Sequence, residues 1–195
     1  MTIRLLAVCG STREHSYSGR LAVIALAAAG EHGAETRLLE LNALNLPTYN
    51  PDKEDMDHEG LRVATEAVNW ADALVLASPD YHGSMSGAMK NFLDFYWAEF
   101  AGKLFGYIVA SHEKGLTVME HMRTSVRQCY GWSLPYGVSV HGEKDFDSSG
   151  LVNPQVARRL RMLARDLVVY GALVRGQFQH DLANGVTETF SARYR

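Results

Sequence analysis

A chain of 195 residues with 47% hydrophobic and 21% charged residues has the make-up of one ordinary folded domain, without room for a large disordered segment. Its net charge of -3 lacks the basic surplus that neutralising many phosphates requires, which argues against nucleic-acid binding as its main activity. The opening MTIRLLAVCGS lacks the cleavage pattern of a secretory signal, and no apolar run approaches the roughly 18 residues of a membrane span, so the expected location is cytoplasmic.

The apolar run Ile3 to Cys9 predicts a first strand, followed by GST and a helix over about Ser18 to Ala29. ETRLLEL gives a second strand, and the Pro- and Asn-rich LNLPTYNPD, unable to continue either element, gives a long loop. Apolar residues at three- and four-residue spacing predict a helix over Glu59 to Trp70, feeding the buried strand ADALVLASP. A helix over Ser86 to Phe100, a strand over Lys103 to Ala110, a helix over Gly115 to Tyr130 and a fifth strand in LPYGVSV continue the alternation. After the turn-rich HGEKDFDSSGLVNP, a last helix is expected from Pro154 to Tyr170, closed by Gly171.

Continuous apolar strands alternating with helices imply a parallel sheet covered on both faces. Residues 176–195 lack a helical apolar stripe and contain the turn signal Asn184-Gly185, so they read as an arm or hairpin of the same domain. The two cysteines, Cys9 and Cys129, have no CxxC spacing and read as reduced and structural. The eight histidines show no HExxH spacing and no accompanying cysteine cluster, so no metal is assigned.

In such a sheet, ligands collect beyond the carboxyl ends of the strands at the point where strand order reverses. Beyond the first strand stands GSTREHSYSG, where Ser11, Arg13, Ser16, Tyr17 and Ser18 lead into a helix. Hydroxyls, one guanidinium and helix N-terminal N–H groups are donors suited to a phosphate dianion, although taken singly Ser16 or Ser18 is an N-cap and Arg13 a surface residue. Neither GxGxxG nor the lysine of a P-loop is present, which favours a mononucleotide phosphate over a dinucleotide or ATP. Beyond the third strand stands SPDYHGSMSGAMKNFLD, in which Pro79 and Gly83 set a tight turn and Tyr81 offers a flat face to a planar heterocycle.

Together, GSTREHSYSGRLA and SPDYHGSMSGAMKNFLD resemble the NADPH-dependent FMN reductase family, with its GSxRxxSxN phosphate loop and PxYxGSxxGxLKNxLD flavin loop; the likeness covers roughly residues 3 to 170. LPTYNPD and Ala71-Asp72-Ala73 also match the family's pattern. The resemblance implies a flavodoxin-like three-layer sandwich with a five-stranded sheet in 2-1-3-4-5 order, residues 1–175 forming the FMN-binding domain. It implies that Ser11, Arg13, Ser16 and Ser18 surround the FMN phosphate and that Pro79, Asp80, Tyr81, His82, Gly83 and Ser84 border the isoalloxazine ring. Lys90, Asn91 and Asp94 match the motif too, and their helical spacing suits anchoring of the following helix.

Three departures stand out: Ser18 replaces asparagine, Asp80 replaces a common glutamate, and Ser111-His112-Glu113-Lys114-Gly115 replaces a glycine-rich loop. Ser111 and His112 are therefore candidates for a third wall with side chains, and Lys114 for a charge near the flavin's pyrimidine side. The implied activity is ping-pong: NADPH or NADH delivers hydride to bound FMN and leaves, and a quinone, free flavin, azo compound or metal oxyanion then accepts the electrons. An FMN-bound electron carrier or redox sensor reduced by a protein partner stays open beside it, as does a flavin-free structural relative. Apolar and aromatic residues in PTYN, FLDFYWAEF and the terminal segment suggest a partner surface, and the family's habit implies a homodimer or homotetramer.

Overall fold

The computed structural model describes residues 2–53 and 57–194. The chain runs β1 (Arg4–Cys9), α1 (Tyr17–Glu31), β2 (Glu35–Glu40), α2 (Leu41–Leu44), α3 (Glu59–Trp70), β3 (Ala73–Pro79), α4 (Gly87–Asp94), β4 (Leu104–Ala110) and α5 (Leu116–Gln128). It continues through β5 (Trp132–Ser133), β6 (Val138–Val140), α6 (Gly142–Asp145), β7 (Phe146–Asp147) and β8 (Gly150–Leu151) to the long α7 (Pro154–Ala183). The main sheet is parallel in the expected order β2-β1-β3-β4-β5, with β6 also paired to β4.

Side chains alternate across each strand, so the sheet has two apolar faces. Leu5 and Ala7 of β1 join Leu21 and Ala25 of α1 and Leu160, Leu163 and Leu167 of α7 on one side. Leu6 and Val8 join Val68 of α3, Met89 and Phe92 of α4 and Met122 of α5 on the other. Gly60 lets α3 cross the end of α2, because a Cβ there would stand 2.0 Å from the Leu44 carbonyl oxygen.

Four expectations need correction. The fifth strand is broken: between the Phe105↔Ser133 and Ile108↔Val138 pairs the outer chain takes two more residues than β4, forming a bulge around Pro135, which has no N–H for the ladder. The helix from Ser86 stops at Asp94, and a 3-10 turn, Ala98–Phe100, follows. Leaving the helix buries Tyr96 between Phe92 and Phe100, with ring centroids 5.0 and 5.6 Å away, so much of FLDFYWAEF is core; Trp97 stays 66% exposed.

The last helix does not close at Gly171 but runs to Ala183, and no hairpin forms among the described residues after 175. Gly171 instead brings α7 against the sheet, where a Cβ would lie 3.4 Å from that of Ala73. The extension is held by Phe178, whose ring covers Gly102 and packs 5.5 Å from Phe190. Asn184 caps the helix and Gly185, at φ 66°, turns the chain away, so the turn signal was a helix stop. Finally, the turn-rich segment after the fifth strand contains the short antiparallel pair β7–β8.

At the amino ends of the strands, Asp72 accepts from Arg4 N, Nε and Nη2 at 3.1, 3.0 and 2.9 Å, and Arg175 Nε stands 3.4 Å away. Burial alone would raise the Asp72 carboxyl, but the Arg4 hydrogen bonds and the charges of Arg4 and Arg175 outweigh it and hold the pKa below the ordinary value. Lys103, buried beside them, donates to the Val68 carbonyl. Burial, aided by the Arg175 charge, lowers its pKa to about 8.

Candidate functional site

The first loop is fixed before it reaches the cavity. Gly10 N–H donates to Ala77 O at 2.8 Å, and a Cβ at Gly10 would fall 2.8 Å from that of Met89, so only glycine fits against α4. The Ser86 hydroxyl donates to Gly10 O at 2.6 Å while accepting from Met89 N–H as the cap of α4, which ties the first loop to the second. Ser11 is buried and its Oγ accepts from Arg13 N–H at 3.2 Å.

His15 adopts a left-handed φ of 52° and delivers the chain to Ser16, the N-cap of α1, whose Oγ accepts from Gly19 N–H at 3.1 Å. The buried Ser18 hydroxyl donates to Ser16 Oγ at 3.5 Å. The first turn of α1 carries no acidic residue, so the positive helix end, the hydroxyls and Arg13 form a donor set for an anion.

The second loop is a two-residue turn: Tyr81 and Ser84 exchange N–H to carbonyl bonds at 2.9 and 3.1 Å around His82 (φ 56°) and Gly83 (φ 79°). Asp80 holds it. Its Oδ1 accepts from Gly83 N–H at 2.8 Å and its Oδ2 from the Ser111 hydroxyl at 2.8 Å, while Ser111 Oγ accepts from Glu113 N–H at 3.0 Å. One carboxylate thus joins the loops after β3 and β4. Ser111 N–H in turn donates to Val140 O at 2.9 Å, which brings the end of β6 alongside.

These loops enclose a cavity of about 320 Å³ at the carboxyl ends of β1, β3 and β4. Of the residues singled out from sequence, Ser11, Arg13, Ser16, Tyr17, Ser18, Pro79, Asp80, Tyr81, Ser111 and His112 line it. His82, Gly83 and Ser84 do not: they shape the turn, and Ser84 Oγ lies 3.0 Å from His121 Nδ1. Lys114 lines a separate cavity.

Glu14, His15, Ala110, Gly142 and Glu143 also line the site. Gly142 is the informative one, since a Cβ there would lie 2.1 Å from the Tyr17 ring. Tyr17 packs 5.2 Å from Phe146, and His112 meets His141 edge-on at 5.2 Å. The wall at the end of β6 was readable from the same rule that located the other two loops. Lys90 pairs with Asp94 along α4, and Asn91 anchors the loop after β2 by accepting from Tyr49 N–H and donating to Pro47 O, both at 2.8 Å. Among the described residues, no group of three or more His, Cys, Asp or Glu converges to hold a metal.

The donor set at one end of the cavity suits a phosphate, and the 43% exposed Tyr81 beside it offers a flat face. Strand order and the position of this cavity define a flavodoxin-like α/β protein. The family model for NADPH-dependent FMN reductase matches residues 3–145, and the chain belongs to that family. It is accordingly an oxidoreductase whose chemistry runs through FMN and NADPH.

An NADPH azoreductase of Bacillus sp. (strain OY1-2) is 32% identical over 143 residues, covering 72% of this chain and 78% of the relative. The NADPH-dependent FMN reductase ArsH of Shigella flexneri is 28% identical over 183 residues, covering 89% and 70%. Among solved structures, an NADH:FMN oxidoreductase (EMOB) in its apo form superposes with a TM-score of 0.73 at 21% identity, covering 87% of this chain and 90% of that one, a likeness of fold.

Proposed function

We propose that FMN is held in this cavity with its phosphate at Ser11, Arg13, Ser16, Ser18 and the N-terminus of α1, and its ring edge along Pro79, Asp80 and Tyr81. Ser111, His112 and Gly142 complete the wall. Bound FMN supplies the two-electron chemistry, taking hydride from a reduced nicotinamide and passing it to an acceptor. Arg13 and the helix end neutralise the phosphate, Asp80 keeps the ring-edge loop and the 111–115 loop in register, and Tyr81 shields a flat surface from water. The observation that carries this reading is the convergence of the hydroxyl-rich loop and the Pro79–Tyr81 segment on one cavity.

A quinone, azo compound, free flavin or metal oxyanion is the proposed acceptor class, in keeping with relatives named azoreductase and NADPH:quinone oxidoreductase. Donor and acceptor use the same open face in turn. Steady-state rates with NADPH and a quinone or azo dye should give parallel double-reciprocal lines; rapid reduction by a protein reductase without reduction by NADPH would instead make the chain an electron carrier.

The exposed stripe Met162, Val169, Tyr170 and Leu173 on α7 supports a homodimer or homotetramer, to be checked by light scattering. No described helix is long and apolar enough to cross a membrane, and the two free cysteines accord with a cytoplasmic location.

A further inference from the structure

A second cavity, of about 480 Å³, opens on the outer side of the broken edge strand, between the first turns of α5 and α7, and shares no lining residue with the flavin cavity. Lys114, Arg123 and Arg159 line it against a single carboxylate, Glu120, which is already paired with Arg123.

The arginines help hold the bulge, Arg123 Nη2 donating to Leu134 O at 3.3 Å and Arg159 Nη2 to Gly137 O at 3.2 Å. That role leaves much of their donor capacity unused, because a guanidinium carries five N–H groups. Arg123 Nε and, across the bulge, Ser139 Oγ are buried without a partner among the described residues, a condition that native proteins rarely leave uncompensated. Lys114 makes no hydrogen bond or ion pair with a described residue.

The backbone adds to the same sign. Gly115, at φ 59°, opens α5 without a side-chain cap, and the first turn of α5 holds no acidic residue. The first turn of the 30-residue α7, on the opposite wall, is also free of acidic residues, but Asn153 Oδ1 caps it by accepting from Gln155 and Val156 N–H. Three cations and one neutralised carboxylate therefore line one open volume, with the uncapped first turn of α5 on one wall.

We propose that this cavity is an anion site for a phosphate ester or pyrophosphate group, separate from the flavin phosphate site and independent of that reading. The shared chemistry is a multiply charged phosphate that Arg123, Arg159 and Lys114 clamp. The group belongs either to the nicotinamide nucleotide or to a separate phosphorylated metabolite.

The test is calorimetric titration of the FMN-saturated protein with inorganic pyrophosphate at low ionic strength, where exposed charges are least screened. One saturable site is expected, weakened about tenfold or more in the Lys114→Gln/Arg159→Gln double variant and about threefold in Lys114→Gln alone. FMN affinity should be unchanged in both. Because Arg159 supports the bulge and its loss can disturb folding, the single Lys114→Gln variant decides the matter, Lys114 being bonded to nothing described.

Competition by NADPH assigns the site to the donor nucleotide's phosphates, whereas pyrophosphate binding that NADPH does not displace assigns it to a separate ligand. Absence of saturable binding, or binding undiminished in Lys114→Gln, overturns the proposal. Failure of the flavin reading would show itself separately, as a protein that takes up no FMN yet still loses pyrophosphate affinity on substitution of Lys114.

Discussion

Replacing Asp80 by alanine removes both hydrogen bonds that hold the ring-edge loop, from Gly83 N–H and from the Ser111 hydroxyl, each 2.8 Å long. A hydrogen bond to a charged group is worth about 1.5–3 kcal/mol when buried, and the only partly buried Asp80 discounts this to about 1 kcal/mol each. The turn also carries a non-glycine residue, His82, at φ 56°, which costs roughly 1 kcal/mol and which Asp80 helps to maintain. Without the carboxylate the turn relaxes, and bound FMN must reorder it.

The expected loss of FMN affinity is about 2 kcal/mol, or roughly thirtyfold, whereas Asp80→Asn keeps an acceptor for Gly83 N–H and loses about three- to tenfold. Equilibrium titration by quenching of flavin fluorescence measures both. Asp80→Ala binding FMN within about twofold of wild type would refute the role assigned to this carboxylate.

Further substitutions separate the parts of the account. Arg13→Gln should weaken FMN by about 1.5–3 kcal/mol while leaving the affinity for phosphate-free riboflavin unchanged, as competitive titration will show. Asn91→Ala releases the loop at Pro47 and Tyr49, and should lower stability to urea by about 1–3 kcal/mol with little effect on FMN binding.

Lys103 sets a pH dependence. Its folded pKa of about 8 lies below the unfolded 10.5, so above about pH 8 the unfolded chain holds more protons and stability rises with pH. The rise should end near pH 10, where unfolded tyrosines ionise while Tyr96 and Tyr107, both pushed up to about 12 by burial, do not. Urea midpoints across this range should rise in the wild type and lose that rise in Lys103→Met.

The two loops that line the cavity were legible because their chemistry is local: a hydroxyl-rich turn before a helix, and a proline-bounded turn with glycine and tyrosine, each placed after an apolar strand. The sheet order followed from the alternation of elements and from the family resemblance. The misreadings arose where distant residues decide. Gly171 reads as a helix stop until Ala73 is seen beneath it, and residues 176–183 gain their helical partner from Gly102 and Phe190. The bulge in the fifth strand depends on its register with β4. Gly142 follows β6 and so falls under the rule that located the other loops, but its close approach to Tyr17, far away in sequence, is set by tertiary packing. His82, Gly83 and Ser84 shape the turn after β3, where Asp80 engages Gly83 N–H and His121 meets Ser84 Oγ.

The most direct test of the central claim is the visible absorption spectrum of the FMN-loaded protein, titrated with NADPH in the absence of oxygen and of any added acceptor. The account predicts loss of the oxidised flavin band in proportion to NADPH added, and its return on addition of a quinone or azo dye. A protein-bound flavin that dithionite bleaches but neither NADPH nor NADH can reduce would contradict it.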